Sequence, residues 1–269
     1  MAVKPKHLLD ELSRPGPHQV LRGDLALAGV PGTVFTPHSG LGLPAVAFGH
    51  GWLQPPDRYL GLLRHLASWG IVTAAPATHK GPLGSHRLLA GDLRTALDVC
   101  AGVRLGDGAI SVDAGKLGIA GHGGGGGCAV LAAAEDGRVR AVATLAAAQT
   151  RPYATDAARR CAMPSLHLAA GADLVAPPAG NAELIADAWG GPAQLRLLPK
   201  ANHLSFAEGR HWSDLLVSGK PDHGVRRITK ALLTAFFLRH LTGEERYDVL
   251  LDADVKRAVI MGEPELTSR

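Results

Sequence analysis

The chain has 269 residues, of which 46% are hydrophobic and 4% aromatic, with a formal net charge of +4. That is enough apolar material for a sizeable core, and the composition has none of the bias of a disordered chain. The basic residues are scattered rather than gathered into a stripe, which argues against a nucleic-acid partner and for a solvated surface. No stretch approaches the roughly 18 apolar residues of a membrane span, and the first residues lack the apolar core of a signal peptide.

Short apolar runs alternate with longer helical patterns, which predicts a mostly parallel sheet covered by helices. After an N-terminal extension (1–20), Leu25–Val30 and Thr33–Phe35 read as an opening hairpin turned by Pro31-Gly32. Ala45–Phe48 is expected as a buried strand running into Gly49-His50-Gly51, then a helix over Asp57–Trp69 and a strand over Ile71–Ala75. A helix over Arg87–Val103 follows, then a strand over Lys116–Ala120 that ends in five consecutive glycines, Gly123–Gly127. Cys128–Ala134 reads as helix, Val139–Leu145 and Ser165–Ala170 as strands, and Asn181–Trp189 as a helix. Gln194–Leu198 is the last expected strand and Val225–Leu241 the closing helix. The segment 151–164 lies where such folds carry active-site covers. The whole chain, 1–269, is read as a single α/β domain.

Three features fall at the ends of strands in a fixed order. Gly121-x-Gly123-x-Gly125 stands between a strand and a helix, Gly171-Ala172-Asp173-Leu174-Val175-Ala176-Pro177 follows a strand, and Ala201-Asn202-His203 follows the last strand. Elbow, acid and histidine in that order form the pattern of an α/β-hydrolase, at the strand ends where open α/β sheets place ligands. The elbow needs close approach of strand and helix, which Gly121 and Gly125 permit. At its centre stands Gly123, which tolerates the angles but carries no reactive oxygen.

The chain resembles the cutinase-like polyester hydrolases and the dienelactone hydrolases of the α/β-hydrolase superfamily, from about Leu25 to Leu241. The resemblance rests on Lys116–Gly127 at the elbow, Asp173–Pro177 at the acid loop, Ala201–His203 at the histidine loop and Leu66–Thr73 before the active-site loop. It departs at Gly123, where the family has serine, and at Gly124, where a larger residue is usual. The resemblance implies that Asp173 orients His203 as general base and acid, and that the main-chain N–H groups of Trp52 and Gly124 form an oxyanion hole. His50, Gly51 and His122 would shape the pocket.

Each of these residues also has a plain structural reading. Asp173 suits a turn, His203 a satisfied buried histidine, and Trp52 a wall over the pocket mouth; co-occurrence at strand ends is what favours the catalytic reading. Cys128 lies within a helix and Ser205 on the wrong loop, so neither replaces the missing hydroxyl. Gly121-x-Gly123-x-x-Gly126 formally fits a dinucleotide fingerprint, but the next strand runs into Ala146-Ala147-Ala148-Gln149 with no carboxylate for a ribose. Three cysteines without paired spacing suggest a reducing, cytoplasmic setting. No metal and no cofactor is expected. The expected ligand is a small ester, acyl or carboxylate molecule bound by a pseudo-hydrolase, with room for a homo-oligomer or protein partner. The alternatives are an enzyme using Asp173–His203 without a covalent intermediate, and an inactivated variant of a serine carboxylesterase.

Overall fold

A computed structural model describes residues 4–215 and 219–262. Nine strands form one sheet in the order β1-β2-β4-β3-β5-β6-β7-β8-β9. They are β1 (Val20–Asp24), β2 (Gly32–Pro37), β3 (Gly40–Gly49), β4 (Val72–Pro76), β5 (Ile110–His122), β6 (Val139–Leu145), β7 (Ser165–Ala170), β8 (Ala193–Leu198) and β9 (Val259–Ile260). The strands from β4 through β8 in the sheet order pair in parallel, whereas the pairs β1–β2, β2–β4 and β8–β9 are antiparallel. The fold is a single-domain α/β fold of the α/β-hydrolase kind.

Side chains alternate along β3 and so reach both faces. Val46 and Phe48 join Leu63, Leu66, Phe237 and Leu251 on one face, where α1 (Pro5–Leu12), α2 (Leu60–Ser68), α7 (His223–Thr242) and α8 (Asp248–Leu251) pack. Ala45 and Ala47 face the other side, with Leu93 and Leu97 of α3 (His86–Gly102) and Val130 of α4 (Gly124–Glu135). On that same side α5 (Ala154–Ala158), inside the segment 151–164, buries Ala154, Ala157 and Ala158, and α6 (Ala182–Asp187) buries Ile185. Helix ends obey local chemistry: Ser85 caps α3 at the Leu88 N–H, Asp222 caps α7 at the Val225 N–H, and Gly243 closes α7 at φ 79°.

The opening hairpin differs from expectation. Its first arm is Val20–Asp24, whereas Leu25–Ala28 is a 3₁₀ turn. Asp24 accepts from the Ala26 N–H and Gly29 takes φ 85°, so a capped turn wins over an apolar run. From Lys4 onward the N-terminal extension is docked, with Leu8 and Leu12 buried and the Leu12 carbonyl beside His65 Nε2 at 2.9 Å.

The C-terminal segment hangs on one buried cation. Arg196 of β8 is fully buried and donates to Gln194 Oε1 and to the main-chain oxygens of Leu250, Leu251, Ala253 and Ala258, at 2.5–3.4 Å. Burial pulls its pKa down to about 10, against the opposing charges of Asp254 and Asp252. Arg196→Met should therefore strand several buried carbonyls and cost about 3–5 kcal/mol. A thermal melt would show this as a loss on the order of 10 °C; a shift under 2 °C would mean the segment is held by packing alone.

Candidate functional site

The site forms where β3, β5, β7 and β8 end. Gly123 makes the turn from β5 into α4 at φ 55°, ψ −124°, angles that side-chain-bearing residues adopt only under strain. Hydrogen bonds fix its peptide groups: the N–H donates to Leu145 O (2.9 Å), and the carbonyl accepts from Gly126 N (3.0 Å) and Ala148 N (2.9 Å). Around it main chain packs on main chain. A Cβ at Gly121 would strike the Gly125 carbonyl, and one at Gly125 would strike the carbonyls of Gly49 and His50. Helix α4 thus begins at Gly124, four residues before the predicted Cys128. Glycines are poor helix formers, but at 125 and 127 a side chain would meet neighbouring carbonyl oxygens.

A Cβ at Gly123 would point at the ring of His203, 2.9 Å from Nε2 and 3.1 Å from Cε1. His203 opens a 3₁₀ turn after β8, and its Nδ1 bonds Asp173 Oδ2 at 2.7 Å. Both residues are buried. The other Asp173 oxygen accepts from the N–H groups of Val175 (2.8 Å) and Ala176 (2.9 Å). Burial works to raise the Asp173 pKa, but the hydrogen bond and charge of His203 and the two N–H donors outweigh it, so the pKa lies below the ordinary carboxylate value. The carboxylate is therefore ionised near neutral pH. Nε2 of His203 has no protein partner among the described residues.

On the facing side, His50-Gly51 leads into Trp52. Trp52 is about half exposed, and its indole N–H donates to Pro82 O at 3.2 Å. The main-chain N–H groups of Trp52 and Gly124 have no protein acceptor among the described residues. His50 turns Nε2 to Thr78 O (2.7 Å) and Nδ1 to Gly51 O (3.0 Å), and so braces this loop. A small cavity of about 20 Å³ lies between Trp52, His79, Ser85, His86 and Gly124.

His122 is fully buried and belongs to a chain of hydrogen bonds. The Gly51 N–H donates to Tyr59 Oη (3.2 Å), the Tyr59 hydroxyl donates to His122 Nδ1 (2.7 Å), and His122 Nε2–H donates to His203 O (2.9 Å). Each group has one role, which fixes the neutral ring with its proton on Nε2. Burial first, then the neighbouring His203, holds the His122 pKa far below its usual value. The relay ties the loop carrying Trp52 to the loop carrying His203. A second tie is Arg58, which donates to Gln54 Oε1 (2.6 Å), Glu208 O (3.0 Å) and Gly209 O (3.0 Å) and pairs with Asp214.

The structure thus brings together Gly123, Asp173, His203, Trp52, Gly124, His50, Gly51 and His122. Cys128 is buried in α4, and Ser205 is buried with its Oγ accepting from the Asn202 N–H. Tyr59, Arg58 and His86 escaped the sequence reading. His86 alone had a signal, because the helix after a parallel strand begins at the strands' carboxyl end, where ligands sit.

The family model described as PETase, PET hydrolase-like, matches residues 16–260. No curated protein matches the chain. Among the described residues, no helix is long and apolar enough to cross a membrane.

Proposed function

Because the chain belongs to the PET hydrolase-like family, we propose that it descends from ester hydrolases and binds an ester, acyl or carboxylate ligand without forming a covalent intermediate. One observation carries this reading. Position 123 has the turn and the direction of a nucleophile, facing His203 Nε2, yet it is glycine. The proposed ligand oxygen lies against the N–H groups of Trp52 and Gly124, which as main-chain donors do not depend on side-chain identity. The three cysteines are buried free thiols, which fits a reducing, cytoplasmic setting.

The intact Asp173–His203 pair favours a second reading, in which His203 activates water directly. Serine hydrolases stripped of a triad member retain roughly 10³–10⁴-fold acceleration over water, so such turnover is physically accessible. Hydrolysis of p-nitrophenyl acetate and butyrate by the wild-type chain and by His203→Ala, with butyrate binding followed by ¹⁵N NMR, separates the two. The binding reading expects equal hydrolysis rates and butyrate-induced shifts at the Trp52 and Gly124 amides. Faster release by the wild type would establish dyad chemistry instead; equal rates with no shift at either amide would overturn the proposal.

A further inference from the structure

Gly124 leaves open a space that His86 fills from the side. His86 is the first residue of α3, and its Nδ1 accepts the Arg151 main-chain N–H at 3.2 Å. A ring nitrogen that accepts carries no proton, so the proton of the neutral ring is on Nε2. That Nε2 lies 3.7 Å from where a Gly124 Cβ would be, and it has no protein partner among the described residues. His86, Trp52 and Gly124 line the same small cavity, with Ser85 beside them. The ring is half-buried, and burial lowers its pKa, so it stays neutral at pH 7 and keeps this tautomer.

We propose that the Nε2–H of His86 is a ligand-binding donor that, with the N–H groups of Trp52 and Gly124, makes the site select a carboxylate over the matching neutral ester. The inference rests on the acyl-ligand reading above. Two donors suit one carbonyl oxygen. A third, lining the same cleft beside Gly124, calls for a second good acceptor, which a carboxylate has and an ester, whose alkoxy oxygen accepts poorly, lacks. Hydrogen bonds to a charged acceptor are roughly twice as strong as neutral ones. The cleft of about 20 Å³ lined by His86, Trp52 and Gly124 admits an oxygen-bearing head group. The rest of the ligand would lie along the exposed face of Trp52, so a short-chain carboxylic acid is the fitting class.

The test is a titration of ¹⁵N-labelled protein with sodium butyrate and, separately, methyl butyrate, using the wild type, His86→Phe and His86→Gln. Butyrate should bind more tightly than methyl butyrate. His86→Phe should weaken butyrate about five- to tenfold, as the loss of one hydrogen bond requires, with methyl butyrate changed less than twofold. His86→Gln, which retains an N–H donor, should recover part of the loss. Imidazole ¹⁵N shifts of the unmodified protein should show the Nε2–H tautomer at His86, a readout that requires no variant to fold. Unchanged butyrate affinity in His86→Phe, or an Nδ1–H tautomer, overturns this inference and leaves the acyl-ligand reading standing. Preference for methyl butyrate does the same, whereas binding of neither probe overturns both.

Discussion

Gly123→Ser should raise turnover of p-nitrophenyl butyrate by at least about 10³-fold while making the protein less stable. Removing the serine of a complete triad costs on the order of 10⁶ in kcat, so restoring it beside the Asp173–His203 pair and the unengaged N–H groups of Trp52 and Gly124 has that much to recover. The gain should fall short of the full factor for a geometric reason. The new Cβ would stand 2.9 Å from His203 Nε2, inside normal contact. The ring must retreat by a few tenths of an ångström before the Oγ can sit at hydrogen-bond distance. Its retreat is resisted by Asp173 at 2.7 Å and by His122, whose ring centroid is 4.6 Å away. The stability loss follows from φ 55°, ψ −124°, which a side chain tolerates at a cost of about 1–3 kcal/mol. A burst assay and a thermal melt on the same preparation check both. No gain in turnover would mean that His203 is not placed to serve a nucleophile at 123.

The second large effect is a loss of stability between pH 6.5 and 4. His65 and His167 are buried, and burial lowers each pKa from 6.5 to about 4; a nearby Lys230 adds to the effect at His65. His122 likewise lies well below its usual value for the reasons given above. Below pH 6.5 the unfolded chain takes up these protons while the folded chain stays neutral, so folding stability falls with pH until the folded groups also protonate. Each of the first two contributes up to about 3 kcal/mol of loss by pH 4, a large part of the 5–15 kcal/mol typical of a whole domain. Asp173 acts in a lower window. Its folded pKa is depressed, so its contribution is complete above the ordinary carboxylate pKa and disappears only as the pH falls through the folded value. Denaturant melts from pH 7.5 to 4.5 should show the decline. His167→Gln, which keeps contacts to Thr144 and Ser165, should flatten it, and an unchanged slope would assign the loss elsewhere.

Much of this architecture is legible in the sequence because the central strands are buried on both faces and read as continuous apolar runs. Val139–Leu145 and Ser165–Ala170 match β6 and β7 to the residue. The edges are different. Val20–Asp24 contains Arg22, Gly23 and Asp24 and pairs on one side only, so it carries no apolar signal, while the neighbouring Leu25–Ala28 does and is a turn. The two-residue β9 is held by Arg196, a contact spanning more than fifty residues that no local pattern announces. At the site, Gly123, Asp173 and His203 are visible because each follows a strand. Tyr59 and Arg58 act through partners 63 and 150 residues away and become visible only when the loops are assembled.

The glycines that open α4 differ sharply in what they would accept. Side chains at 125 and 127 would collide with carbonyl oxygens, and one at 126 would press on Gly121 and Ala147. Position 124 meets nothing nearer than His86 Nε2 at 3.7 Å. Mutational change in this wall of the site is therefore channelled through one codon. A bulky residue there would close over the His86 imidazole and leave the main-chain N–H of residue 124 in place, so the donors of the proposed carboxylate site would change without any other part of the turn having to move.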